Sequence, residues 1–198
     1  EPVLLPTKFP LVLSQGTEGI AVGLSTKILP HNFIEIIKCS ISYLNDKSFK
    51  IFPDFENGGQ IDIQNYNQGL KGGRVRIRSN IDIVDKETLK ISTVPYAITT
   101  SSLIDSVIKA NNNGKIKIKH IEDNTAQKIE IIIKLIKGIS PNVTIDALYA
   151  FTNCEISISP NCCIILNNKP HFISVNELLI HSTNNTVNLL KLELKFKL

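Results

Sequence analysis

The side chains best suited to chemistry fall between Gly16 and Asn32, Gly-Thr-Glu-Gly-Ile-Ala-Val-Gly-Leu-Ser-Thr-Lys-Ile-Leu-Pro-His-Asn. Gly16, Gly19 and Gly23 surround an apolar Ile20-Ala21-Val22, and Ser25, Thr26, Lys27, His31 and Asn32 follow. Glycines at this density imply a backbone that turns sharply or comes close to something. Hydroxyls, an ammonium, an imidazole and a carboxamide are groups that grip a phosphate backbone. An isoleucine held out among them is either a small core plug or a wedge. His31 could cap the next helix or meet an anion at its N-terminus, and a role for Asn32 as helix cap competes with one as a ligand. A plain structural loop is the competing reading, and spacing alone leaves it slightly ahead.

Other chemistries find little support. No Gly-Lys-Ser/Thr follows the glycines, and no acidic residue stands in a dinucleotide-binding context. His31, His120, His171 and His181 are far apart, and Cys39, Cys154, Cys162 and Cys163 form no C-x-x-C pair, so neither metal nor disulfide-exchange chemistry is indicated. Buried, reduced thiols are expected instead. Tyr43, Tyr66, Tyr96 and Tyr149 have no preceding arginine, and no Ser-His-Asp or Cys-His set can be drawn, so no catalytic residue is assigned. Arg74, Arg76 and Arg78 form a basic row, as do Lys115, Lys117 and Lys119; each is a solvated strand face or, more sharply, a phosphate-contacting ridge. The net charge of +4 permits a polyanionic partner without requiring one.

The elements that would carry these residues can be read from periodicity. Prolines at 2, 6 and 10 exclude a continuous first helix, leaving Val3-Leu4-Leu5 and Leu11-Val12-Leu13 as extended pieces. Phe33, Ile37, Ile41 and Leu44 lie on one helical face, and Asn32 with Glu35 resembles a capping box, predicting a helix over about 31–44. Residues 45–73 are polar and read as an irregular surface excursion. Val75, Ile77, Ile81 and Ile83 alternate, and Leu89, Ile91 and Thr93 continue the pattern after Asp85-Lys86-Glu87, which predicts a β-hairpin. A helix is expected from Ser102, with Ile104, Val107 and Ile108 facing inward, then strands over 116–121 and 129–135. Ser140-Pro141 opens another helix, and Ile156–Ile158 and Cys163–Leu166 are apolar runs. The final stretch fits helix or strand, and helix is favoured. The order β-β-α-β-β-α over 74–150 predicts an α+β fold, an antiparallel sheet with helices on one face in a two-layer sandwich. A glycine-rich loop and helix precede it, and the start of a long helix ends it.

With 42% hydrophobic residues, 198 positions suffice for a substantial core, and no apolar run approaches the length of a membrane span or opens the chain as a signal peptide. The absence of methionine leads to the expectation that Glu1 is not the natural start.

Several stretches carry a resemblance: Glu1-Pro-Val-Leu-Leu-Pro-Thr-Lys-Phe-Pro10, Gly16–Gly23, Ile28-Leu-Pro-His-Asn32, Pro53-Asp-Phe, Gly73-Arg-Val-Arg-Ile-Arg78, Val94-Pro-Tyr96 and Asp146-Ala-Leu-Tyr149. Together, in order and over essentially the whole chain, they resemble the A subunit of bacterial type IIA DNA topoisomerases. Leu24–Phe33 and Asp146–Asn161 look more like topoisomerase IV than gyrase.

The resemblance implies a tower region that supports and bends gate DNA during ATP-dependent double-strand passage. Ile20 would be the wedge between base pairs, flanked by DNA contacts from Lys8, Gln15, Gly16, Thr17, Gly19, Ser25, Thr26, Lys27, His31, Asn32, Arg74, Arg76 and Arg78. It implies residues 1–60 as DNA-contacting loop and helix, 61–172 as the tower sandwich and 173–198 as the start of a helix toward the C-terminal gate. The nucleophilic tyrosine would precede this stretch. Mg2+ and ATP would be held by the partner B subunit through its TOPRIM and ATPase regions, in an A2B2 enzyme acting in the cytoplasm on the nucleoid. This stretch alone would hold no cofactor, engage no membrane and cleave nothing. A structural spacer with minor DNA contacts is the alternative.

Overall fold

The structure, a computed structural model, describes residues 6–198; the expected extended piece Val3-Leu4-Leu5 lies outside the described residues. In chain order the elements are α1 (Leu11–Gln15), β1 (Thr17–Ala21), β2 (Leu24–Ile28), α2 (Phe33–Leu44), β3 (Gln60–Asp62), β4 (Val75–Arg78), β5 (Ile81–Asp85) and β6 (Thr88–Ile91). Then come α3 (Thr100–Asn112), β7 (Ile118–Asp123), β8 (Ile131–Leu135), α4 (Pro141–Phe151), β9 (Glu155–Ile158), β10 (Cys163–Leu166), β11 (Lys169–Phe172) and α5 (Val175–Lys197). The architecture is α+β with antiparallel sheets, as expected, and it divides into two compact units.

The second unit comprises Glu56–Asp62 and Val75–Ile158. Its larger sheet has the order β5-β6-β8-β7, and a smaller one the order β3-β4-β9, all antiparallel. Strand β8 shows why helices cover one face: Ile131, Ile133 and Leu135 are buried while Ile132 and Lys134 are not. The buried set joins Leu89 and Ile91 of β6, Leu103 and Val107 of α3 and Leu148 of α4 in one core. On the other face Lys134 donates to Thr88 at 2.8 Å and Lys90 pairs with Glu130.

Two expectations need correction here. The alternation from Val75 to Ile83 is not one strand. The chain changes sheets at Ser79-Asn80, where the Ser79 N–H donates to the Cys154 carbonyl (2.8 Å) and the Asn80 N–H to Thr93 Oγ1 (2.7 Å). Ile83 consequently ends 47% exposed on the edge strand β5. Helix α3 begins at Thr100, capped by Thr99, whose hydroxyl accepts the Ser102 N–H. Its buried face is Leu103, Val107 and Ala110, with Ile108 exposed.

The first unit comprises Glu1–Phe55, Ile63–Arg74 and Ser159–Leu198. It contains α1, the hairpin β1–β2, α2, the hairpin β10–β11 and α5 around Leu13, Leu29, Ile36, Tyr66, Val175 and Leu179. Leu11–Gln15 is a short helix rather than extended. Pro10 stands just before it with φ −74°, an angle that suits a helix start, and a proline there displaces no helical hydrogen bond. Residues 45–73 are less peripheral than their polarity implies, since Ile51, Phe55 and Tyr66 are buried. The Asn32 cap on α2 is present, its carboxamide oxygen accepting from Ile34 N (3.0 Å) and Glu35 N (3.3 Å). The last stretch is helical. Ser174 and Glu177 form a full capping box, and Val175, Leu179 and Thr183 are buried at four-residue spacing.

Candidate nucleic-acid interface

The glycine-rich stretch is a regular antiparallel hairpin with Val22-Gly23 at its turn, and its register pairs Glu18 with Lys27, Gly19 with Thr26 and Ile20 with Ser25. Every residue of β1 is exposed. Ile20 at 92% and Val22 at 103% exposure place two bare aliphatic side chains at the tip, away from any core. Two glycines are demanded by the backbone. Gly23 has φ 75° in the turn. Gly16 has φ 72°, and a Cβ there would sit 2.8 Å from the Ile28 carbonyl oxygen. Gly19 is different: its φ is not left-handed, and a Cβ would meet nothing nearer than Thr26 Cγ2 at 3.8 Å.

Along the hairpin, Ser25 near the tip and Gln15 and Thr17 near the root are exposed, and Thr26 and Lys27 are half-buried. Lys27 Nζ lies 3.0 Å from Glu18 Oε1 across the hairpin. The root of β2 is joined to Asn161. Lys27 N–H donates to the Asn161 carbonyl (2.8 Å), and Asn161 N–H donates back to that of Lys27 (2.9 Å). Asn161 Nδ2 donates to the Ser25 carbonyl at 2.7 Å, and Thr26 Oγ1 donates to the Asn161 carbonyl at 3.3 Å.

The other expected contact residues are placed differently. His31 is only 3% exposed: its Nδ1 donates to the Leu13 carbonyl (3.2 Å), so Nε2 is the acceptor for the Tyr66 hydroxyl (3.3 Å). Burial lowers its pKa to about 4, leaving a neutral imidazole that pins the interior. Asn32 is occupied as a cap, and its Nδ2 donates to Asp54 Oδ2 at 3.1 Å. Lys8 pairs with Glu193 of α5. Arg74 is exposed in this unit, with its backbone N–H given to the Asn65 carbonyl. Arg76 and Arg78 belong to the second unit, where Arg76 pairs with Asp62 at 2.8 Å and Arg78 pairs with Glu155 while lying over the Tyr149 ring.

Burial pushes the Cys154 and Cys162 thiols up to about 11, which suppresses the reactive thiolate. Burial likewise raises the Tyr66 phenol. Among the described residues no cluster of three His, Cys, Asp or Glu could hold a metal, and no helix is long and apolar enough to cross a membrane.

The chain is α+β and carries an exposed, aliphatic-tipped hairpin with lysine and hydroxyl groups along it. The family of DNA gyrase/topoisomerase IV A subunits matches residues 1–198, and the chain belongs to it. It is 40% identical over 197 residues to the A subunit of DNA topoisomerase 4 from Borreliella burgdorferi, a match that covers 100% of this chain and 31% of that protein. It is 32% identical over 198 residues to the A subunit of DNA gyrase from Lawsonia intracellularis, covering 91% and 24% respectively. A third relative, the DNA gyrase A subunit of Ureaplasma parvum, is 28% identical over 217 residues, covering 100% and 26%. The chain thus spans about a quarter to a third of the length of these relatives.

Proposed function

We propose that this chain is the tower portion of the DNA breakage-reunion subunit of an ATP-dependent type II topoisomerase. It supports and bends the gate duplex while a second duplex passes. Residues 1–60 make the DNA-contacting base, 61–172 the tower and 173–198 the helix leading toward a C-terminal gate. The observation that carries this reading is Ile20, 92% exposed at the tip of a hairpin. Ile20 and its neighbour Val22 meet no protein surface at the tip, and insertion at a base step would bury the isoleucine. Opening a step costs a few kcal/mol, and smooth bending of a site costs roughly 1–6 kcal/mol. Burying an isoleucine side chain contributes about 1.5–3 kcal/mol toward that cost, and phosphate contacts from Gln15, Thr17, Ser25 and Thr26 supply more, joined by Lys27 only where Glu18 releases it.

Cleavage chemistry is assigned to a tyrosine elsewhere in the full-length protein, and Mg2+ and ATP to a partner B subunit in an A2B2 assembly. Of the residues the resemblance nominates, His31 and Asn32 act by holding the start of α2. Replacing Ile20 by alanine in the full-length protein is expected to abolish bending of a duplex labelled with a donor and acceptor at its ends, with protein stability unchanged. Bending at the parental level would remove the wedge.

The spacer reading draws on a specific observation as well: Arg76 and Arg78 both have carboxylate partners inside their own unit. A salt titration of DNA binding separates the two readings. Several phosphate contacts give a steep log–log slope, a spacer almost none.

A further inference from the structure

We infer that Asn161 is the positioning residue that aims the β1–β2 hairpin, and thereby Ile20. This rests on the wedge reading for its consequence in DNA bending, and on the hydrogen bonds alone for its effect on the hairpin. A two-stranded ribbon is marginally stable in water, and β1 is exposed along its whole length. Its direction must therefore be set at the root.

The register shows how. In an antiparallel pair the backbone groups of every second residue point away from the partner strand. Lys27 gives both its N–H and its carbonyl to Asn161, so the Glu18–Lys27 pair is not hydrogen-bonded across the hairpin. Ser25, two residues earlier, has the same outward orientation, and it is the cross-strand neighbour of Ile20. The Asn161 carboxamide donates to that outward Ser25 carbonyl at 2.7 Å. One residue thus takes three successive outward groups of β2, its backbone serving Lys27 and its side chain Ser25, and acts as a third strand one residue long. The hydroxyl of Thr26 reinforces the joint, donating to the Asn161 carbonyl and accepting from Cys163 N–H, each at 3.3 Å.

A second observation concerns the side chain itself. Asn161 Oδ1 is buried without a hydrogen-bond partner. An orphaned amide oxygen is a liability that serine or alanine would avoid. The value of asparagine here lies in the donor that reaches Ser25, because a carbonyl can only accept. Asn161→Asp keeps the shape and faces that carbonyl with an acceptor, so it separates the hydrogen bond from packing.

The test uses the full-length protein with Asn161→Ala, Asn161→Asp and Ile20→Ala side by side. Amide hydrogen exchange over Leu24–Ile28 is expected to accelerate about tenfold in both Asn161 variants, with α2 unchanged. The fraction of end-labelled duplex held bent is expected to fall about fivefold at similar DNA occupancy. Parental exchange at Leu24–Ile28, or accelerated exchange with full bending in a background where Ile20→Ala abolishes it, overturns the inference. If Ile20→Ala itself leaves bending intact, the wedge reading falls, and the exchange data alone decide whether Asn161 holds the hairpin. Should α2 also accelerate in the Asn161 variants, Thr26→Val removes the hydroxyl that reinforces the joint from the β2 side; it must then accelerate Leu24–Ile28 selectively, and parental exchange there refutes the assignment.

Discussion

Glu18 is an acidic residue on a strand proposed to face a polyanion, and its geometry gives a quantitative prediction. Its carboxylate lies 3.0 Å from Lys27 Nζ, with side-chain exposures of 67% and 33%. An ion pair this open to solvent contributes between about 0 and 1 kcal/mol, so Glu18→Gln should leave stability nearly unchanged. Its effect on DNA should be larger, because it releases Lys27 to neutralise a phosphate and removes a repulsive charge. One added phosphate contact makes the slope of log K against log salt more negative by about 0.9, so a fourfold rise in salt costs the variant about 3.5-fold more affinity than it costs the parent. Fluorescence anisotropy with a short duplex across a salt series measures this directly. At low salt Glu18→Gln should bind more tightly than the parent. An unchanged slope, or weaker binding at every salt concentration, would mean that Lys27 does not meet the DNA backbone and that the hairpin face has been misassigned.

Further outcomes follow from the same unit. Gly16→Ala should destabilise the protein by about 1–3 kcal/mol, because a left-handed φ and a 2.8 Å approach to the Ile28 carbonyl both oppose a side chain; thermal or denaturant unfolding reads this. Gly19→Ala should leave stability within about 0.5 kcal/mol, since its Cβ has room, yet weaken DNA binding where backbone amides approach phosphates; parental affinity would show that they do not. His31, with its pKa lowered to about 4 by burial, binds no proton in the folded state over a range where the unfolded imidazole, at 6.5, does. Its contribution is therefore complete above pH 6.5 and is lost as pH falls toward 4, on the order of 2 kcal/mol by pH 5. Hydrogen exchange over α2 at pH 7 and pH 5, corrected for intrinsic rates, should show this loss, and His31→Gln should abolish it.

Much of the fold was legible because local signals agreed with tertiary ones. Asn32 followed by apolar residues at helical spacing located α2, and Ser140-Pro141 opened α4; the final stretch, whose alternation also fits a strand, is the favoured helix, opened by a Ser174–Glu177 capping box that the structure adds. Failures came where local pattern and tertiary pairing part company. Val75, Ile77, Ile81 and Ile83 keep one phase with only Ser79 between them, yet the chain leaves one sheet for another at Ser79-Asn80, and period two carries no record of which neighbour a strand chooses. Pro10 reads as a helix breaker but stands at the N-cap, just outside the helix, where its missing N–H interrupts no helical hydrogen bond. The hairpin was visible only as a glycine-rich loop, since small and exposed residues give β1 no apolar face to signal a strand. His31 has the chemistry of an anion ligand, and nothing nearby in sequence reveals that Leu13 and Tyr66 enclose it. Asn161 was invisible as a site residue for the same reason: its partner Ser25 lies 136 residues away, and no local motif marks it.

The central claim is that Ile20 enters the base stack. It is tested most directly by duplexes carrying 2-aminopurine at successive positions across the gate segment, bound to the full-length protein. Unstacking should raise the fluorescence at one step on each side of the site with parental protein, and the rise should vanish with Ile20→Ala while binding persists. Equal fluorescence in the two proteins at every position would contradict the account.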